Sequence, residues 1–255
     1  MPLKFAANLS WMFKEWSFPD RFAAAADTGF KAVEYLFPYE YEPDEIARLL
    51  SRHGLKQVLF NMPPGDWAAG EKGLACLPER RDAFRASVQT ALTYARATAT
   101  PRLHLMSGIG SGAPALAAYR DAILWACDAA GADGIDILLE PINNRDVPFY
   151  LMNDFGLAAV LIDELKRPNL KLQFDIYHRQ IIHGDVTRAL EDLMPITGHI
   201  QVSSAPLRHE PMSGELDDRR VFQLIERLGY AGHIGCEYNP AGGTLAGLGW
   251  MRRLD

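Results

Sequence analysis

At 255 residues, 48% hydrophobic and 23% charged with both signs interspersed, the chain has the size and composition of a globular protein that buries a large core. Its formal net charge of −6 argues against attachment to nucleic acid or to an anionic membrane by bulk charge, because those surfaces repel an acidic partner. Cys76, Cys127 and Cys236 lie far apart in no CxxC spacing, and no apolar run approaches the roughly 18 residues that span a bilayer, so a disulfide framework, a zinc knuckle and a membrane span are all unsupported.

KFAAN (4–8) reads as a first strand and residues 19–28 as the helix after it. AVEYL (32–36) follows, then a helix over 43–53 that Pro43 and Asp44 open and Gly54 ends. QVLFN (57–61) leads into the longest nonperiodic stretch, NMPPGDWAAGEKGLACLP (61–78), ahead of a helix at 79–97. RLHLM (102–106) precedes a helix at 114–131. DILLE (136–140) precedes one at 153–166, with Asn153 and Asp154 where an N-cap belongs. LKLQFD (170–175) is followed by 185–193, HIQVS (199–203) by 217–228 behind Asp217, and HIGCE (233–237) by a last helix near 244–253. Strict alternation implies right-handed βαβ units and a parallel sheet, and eight units in this length predict a single-domain α/β (β/α)8 TIM barrel over 1–255. An open doubly wound sheet lacks its signatures, since no GxGxxG follows the first strand and no GxxxxGK[ST] occurs. The start, MPLKFAANLSWMFKEW, has no signal-peptide pattern, so a cytoplasmic protein is expected.

Side chains alternate along a strand, so the polar residues at the strand ends can be tested for a shared phase. Placing Glu140 inward leaves Ile137 and Leu139 outward; Asp175 inward leaves Leu172 and Phe174 outward; Gln201 inward leaves Ile200 and Val202 outward. Glu237 inward puts Gly235 beneath it and leaves Ile234 and Cys236 outward. The outward set is apolar, as packing against helices demands. The inward set ends in Glu, Asp, Gln and Glu on four consecutive strands, which should meet at the C-terminal mouth of the barrel. Three carboxylates that close would repel one another, and a divalent cation resolves the repulsion. Oxygen ligation by Glu140, Asp175, Gln201 and Glu237 suits Mg2+ or Mn2+, with Co2+ as a further option.

His178, just past Asp175, is expected at the mouth as an acid, base or donor to a substrate oxygen. His199 and His233 begin strands, at the stability end, and read as structural; His53, His104 and His183 read as solvated or satisfied. Arg208, on the loop after the seventh strand, offers a guanidinium for substrate oxygens. A hard cation flanked by carboxylates that move protons suits enolisation beside a carbonyl. The residues alone thus point to metal-assisted proton transfer on a small polar substrate.

The segments FAANLSWMF (5–13), GFKAVEYLFPYE (29–40), HGLKQVLFNMPPGDWAAGEKGLACLP (53–78), LLEPIN (138–143), FDIYHRQ (174–180), HIQ (199–201), PLRHEPMSGEL (206–216) and LGYAGHIGCEYNP (228–240) resemble the hydroxypyruvate isomerase family, within the xylose-isomerase-like TIM barrels. The resemblance spans nearly the whole chain. It implies an aldose-ketose-type interconversion of hydroxypyruvate and tartronate semialdehyde (2-hydroxy-3-oxopropanoate) through an enediol, in the chemistry of glyoxylate and carbohydrate metabolism. Glu140 and Glu237 would then be the paired acid/base residues as well as metal ligands, Asp175 and Gln201 would complete the metal site, and His178 and Arg208 would hold substrate oxygens. A 2-oxo-tetronate isomerase, a small-ketose epimerase, a metal-dependent apurinic-site nuclease and a non-catalytic sugar-acid-binding barrel are the competing readings; a homo-oligomer is compatible with all of them. The chain departs from the family pattern in reading QVSS for Q-I-A-D, and Leu207 and Met212 where glycines are expected. Bulk there should restrict φ and narrow the approach to the mouth. MSGIGSGAP also replaces an M-A-G type segment after the fourth strand.

Overall fold

Each of the eight expected strands forms, each pairs in parallel with its neighbour in sequence, and the eighth closes on the first. The computed structural model describes residues 3–253, so residues 1–2 and 254–255 of the expected domain lie outside it. The strands are β1 (Lys4–Asn8), β2 (Ala32–Tyr35), β3 (Lys56–Asn61), β4 (Arg102–His104), β5 (Asp136–Leu139), β6 (Leu170–Asp175), β7 (Thr197–Val202) and β8 (His233–Cys236). The outer wall consists of α1 (Phe18–Asp27), α2 (Pro43–His53), α3 (Arg81–Thr98), α4 (Gly112–Gly131), α5 (Phe155–Leu165), α6 (Ile176–Ile182), α7 (Val186–Leu193), α8 (Asp218–Arg227) and the short α9 (Thr244–Gly247).

The expected caps hold these helices. Gly54 ends α2 in the left-handed conformation at φ 63°, and the Asp154 carboxylate accepts from the Leu157 N–H at 2.7 Å to open α5. One connection differs from expectation. Between β6 and β7 there are two helices, because the Asp175 carboxylate accepts from the Tyr177 N–H at 2.7 Å and starts α6 directly from the strand end. Gly184 and Asp185, both left-handed at φ 62° and 47°, then separate α6 from α7.

The principal apolar core lies between barrel and helices. It takes the outward strand residues, among them Phe60, Leu103, Leu139, Phe174, Ile200 and Ile234, together with helix faces such as Val221, Phe222 and Ile225 of α8. Each such side chain contributes about 1.5–3 kcal/mol on burial. Inside the barrel the packing is different. Ala6, Ala32, Val58, Leu59 and Leu138 form a small apolar cluster, while Asn8, Glu34, His104, Gln173, His199 and Gln201 are also buried and polar. No helix among the described residues is long and apolar enough to cross a membrane.

Candidate active site

Strand register brings the four expected residues to one mouth. Asp175 pairs with Gln201 and Gln201 with Gly235, while Glu140 and Glu237 stand one residue beyond the ends of β5 and β8. Their outward neighbours, from Ile137 to Cys236, all lie in the outer core, so the strand phase read from sequence is the phase of the fold. Glu140 is 5% exposed, Asp175 0% and Glu237 6%, which obliges each charge to be compensated or protonated.

Glu237 is the best supported. Its Oε1 accepts from Arg208 Nη2 at 2.5 Å, and its Oε2 accepts from Gln201 Nε2 at 2.5 Å and from Asn8 Nδ2 at 3.0 Å. Asp175 uses Oδ1 as the cap of α6, and its buried Oδ2 has no hydrogen-bond partner. Glu140 has His104 Nδ1 at 3.2 Å and His178 Nε2 at 4.0 Å. Burial, chiefly, pushes all three carboxyls up: Asp175 to about 6, Glu237 to about 8, and Glu140 well above the ordinary range, where the charges of Glu237 and Asp175 add to the burial. Burial also draws His104 down to about 3 and His178 well below its ordinary value, which favours the neutral imidazole in each.

His178 is placed as expected, in the first turn of α6, with Nε2 3.7 Å from Asp175 Oδ2. Its Nδ1 accepts from the Asn143 backbone N–H at 3.2 Å, and a backbone donor cannot be exchanged for an acceptor. In a neutral ring the proton therefore sits on Nε2, which faces the carboxylates as a donor. Arg208 is also in the mouth. Its guanidinium lies over the rings of Trp11 and Tyr177, 4.6 and 4.9 Å from their centroids, and Nη1 donates to Asp146 Oδ2 at 3.3 Å.

Sequence reasoning missed Glu34. This carboxylate is fully buried inside the barrel on β2, where it accepts from Asn8 Nδ2 at 3.0 Å and Gln201 Nε2 at 2.8 Å and pairs with His199 Nε2 at 2.7 Å. The phase rule applied to Val33-Glu34-Tyr35 would have found it, because Val33 and Tyr35 belong to the outer core. His199 lies inside β7 rather than at its start, and what it supports is Glu34. Asp146 and Lys72 reach the mouth from loops and carry no comparable sequence signal. Leu207 and Met212 do not narrow the mouth. Leu207 is 70% exposed and turned to solvent, and neither residue lines the cavity. The glycine-like demand is real at Met212 alone, whose φ is 69°.

The donor set fits a divalent cation. Ligand atoms of Glu140, Asp175 and His178 lie within 4.8 Å of one another, and the unpartnered Asp175 Oδ2 is the kind of buried oxygen that a cation would satisfy. With the proton of His178 on Nε2, the carboxylates are the natural ligands and the imidazole a neighbouring donor. Gln201 presents Nε2 to the carboxylates while its Oε1 accepts from Gln173 Nε2 at 2.6 Å, so ligation by its oxygen requires a half-turn of the amide. Above these groups opens a cavity of about 480 Å3 lined by Trp11, Phe37, Trp67 and Lys72 as well as by Glu140 and Glu237. That volume lies within the range of small-molecule sites.

Residues 22–254 match the xylose isomerase-like TIM barrel family, in keeping with the parallel barrel described above. Among known proteins the chain is 48% identical to the 2-oxo-tetronate isomerase of Cupriavidus necator, over 98% of this chain and 97% of that one. It is 39% identical to the hydroxypyruvate isomerase of Escherichia coli, over 98% of each chain, and 43% identical to a human putative hydroxypyruvate isomerase, over 98% and 95%. A Brucella melitensis crystal structure described as AP endonuclease, family 2, superposes with a TM-score of 0.96 at 46% identity, covering 99% of both chains. The E. coli 3-keto-D-glucoside 4-epimerase shares the fold, with a TM-score of 0.80 at 19% identity over 99% and 100%. The chain belongs to the hydroxypyruvate isomerase family of the xylose isomerase-like TIM barrels.

Proposed function

We propose that the chain interconverts hydroxypyruvate and tartronate semialdehyde by proton transfer through an enediol. The observation that carries this reading is the pair Glu140 and Glu237, two buried carboxyls facing one cavity from different strands and held in unequal surroundings. Arg208, Asn8 and Gln201 offset part of the burial cost of a charged Glu237, whereas Glu140 has no such set and is pushed up by burial and then by its acidic neighbours. Pairs of carboxyls with diverging environments divide acid and base roles between them. In the direction from hydroxypyruvate, Glu237 takes a proton from C3, the carbon bearing the hydroxyl; the electron pair of that C–H bond forms the C2–C3 double bond, and the C2 carbonyl π pair moves onto its oxygen, which takes a proton from water to complete the enediol. Glu140 gives a proton to C2, and the C3 hydroxyl loses its proton as the aldehyde forms. His178 Nε2–H and Arg208 hold the two substrate oxygens and restrict their rotation.

Glu140 and Asp175, whose oxygens cluster with His178, would hold a divalent cation, Mg2+ or Mn2+ by the hardness of the oxygen donors, with Glu237 and Gln201 joining once they release the hydrogen bonds that now engage them. When bound, it would polarise the substrate carbonyl and lower the cost of removing the adjacent proton.

The C. necator relative, named 2-oxo-tetronate isomerase, favours a second reading with the same chemistry on an acid one carbon longer, and a cavity of about 480 Å3 has room for it. Assay of the purified protein with hydroxypyruvate and with 2-oxo-tetronate in deuterium oxide tests both readings. Turnover with one solvent deuterium in the product supports proton transfer; turnover without it points to a hydride shift. Inactivity on both acids overturns the isomerase reading. Glu140→Gln and Glu237→Gln should each lower kcat by about 10²–10⁴, the usual weight of a general acid or base, with unfolding temperatures close to the parent.

A further inference from the structure

The cavity wall carries two cations, Arg208 and Lys72, and only one of them is committed. Arg208 is shared among Glu237 at 2.5 Å, Asp146 at 3.3 Å and Asp175 at 3.6 Å, and its guanidinium lies over two aromatic rings. Lys72 forms no ion pair with any described carboxylate. Its sequence neighbour Glu71 pairs with Arg80 and accepts from the Asp66 N–H at 2.6 Å, so that charge is used within the loop. Lys72 Nζ instead sits over the Trp67 indole, 3.2 Å from the ring centroid, and Trp67 meets Phe37 edge-on at 5.3 Å.

The loop that carries Lys72 is fixed in place. The Gly73 N–H donates to Pro64 O and the Cys76 N–H to Ser107 O, each at 2.8 Å. A Cβ on Gly73, whose φ is 119°, would lie 2.4 Å from Met106 O, so the loop backbone lies directly on the segment after β4. The ammonium is therefore presented from a preformed wall, and its partial burial draws it below the ordinary lysine value, which leaves it more to gain from an anionic partner.

The reaction needs the substrate's reactive carbons beside Glu140 and Glu237. An acid substrate brings a carboxylate of its own, and like charge keeps that group away from Glu237, which must be ionised to act as the base. We propose that Lys72 receives the substrate carboxylate, against the Trp67–Phe37 wall, and is the residue that selects an oxo-acid over a neutral ketose of the same length. This inference rests on the reading above that the substrate is a small oxo-acid. Arg208 is then left to the oxygens at the reacting carbons, and the acid group has a separate seat.

The test uses Lys72→Met and Lys72→Arg, with Lys72→Gln as a second neutral variant should Lys72→Met fold poorly. Three readouts apply: kcat and KM on hydroxypyruvate, turnover of the neutral counterpart dihydroxyacetone, and calorimetric binding of glycerate, a carboxylate that cannot be isomerised. Neutralising Lys72 should raise KM for hydroxypyruvate and weaken glycerate by about 10- to 100-fold, the range for a lost charge-assisted hydrogen bond, with kcat within about threefold. Dihydroxyacetone turnover should hold or rise, and Lys72→Arg should keep most of the affinity. Glycerate binding and KM within about twofold of the parent in a folded neutral variant overturn the assignment. A parent protein that binds glycerate through Lys72 but isomerises no oxo-acid would sink the proposed reaction and leave this seat standing. Parent turnover of dihydroxyacetone alone, with no glycerate bound, would sink both.

Discussion

Asp175 and Glu237 are acids in a pocket that disfavours their charge, and burial is the first cause for both. In the folded protein without a cation their values rise to about 6 and about 8, against ordinary unfolded values near 3.9 and 4.3. The folded state thus binds these protons more tightly than the unfolded chain does. The stabilisation is complete below about pH 4 and is lost as pH rises, through about 6 for Asp175 and about 8 for Glu237. Chelated protein should therefore lose Tm between pH 5 and about 8.5, and Glu237→Gln should flatten the upper part of that fall. Added Mn2+ should raise Tm more at pH 8 than at pH 5, because ligation competes with protons. A Tm that is flat or rising in chelator over this range would mean that the carboxylates are compensated by the protein alone.

Strands are where the sequence speaks most clearly, since an apolar outward set fixes the phase of every inward residue. That is why Glu140, Asp175, Gln201 and Glu237 were legible as one mouth. The same rule reaches Asn8 and Glu34, but Glu34 sits one residue short of the end of β2, inside the strand, where attention to strand tips passes over it. Helix α6 was hidden because IYHRQII is only seven residues long, and what starts it is a side chain already assigned to the site. Lys72 and Asp146 converge through the paths of loops, which no period encodes. Strand β8 offers the sharpest test of the buried network. A Cβ at Gly235 would stand 2.3 Å from both oxygens of Glu34, which shares Asn8 and Gln201 with Glu237. Gly235→Ala should cost about 1–3 kcal/mol in urea unfolding from overpacking, and should reduce kcat as the carboxylate moves. Wild-type kcat in that variant would show that Glu34 does not position Glu237.

At the scale of the whole molecule, charge separates a sugar-acid enzyme from a DNA enzyme on the same fold. The B. melitensis structure is described as an AP endonuclease, so the distinction bears on this chain directly. A protein that grips duplex DNA neutralises several phosphates at once with Lys and Arg and releases their counterions, which makes binding steeply dependent on salt. This chain carries a net charge of −6. Around its mouth Glu140, Asp146, Asp175 and Glu237 outnumber Arg208 and Lys72, and Arg208 is already paired with the acids. One free ammonium suits one carboxylate far better than a run of phosphates. The purified protein should pass through a duplex-DNA column at about 150 mM salt, and a fluorescent abasic-site duplex should show no saturable anisotropy change when the salt is lowered to about 50 mM, where phosphate contacts would gain the most. Salt-dependent retention would require a basic surface that the charges around this mouth do not supply, and would reopen the nuclease reading.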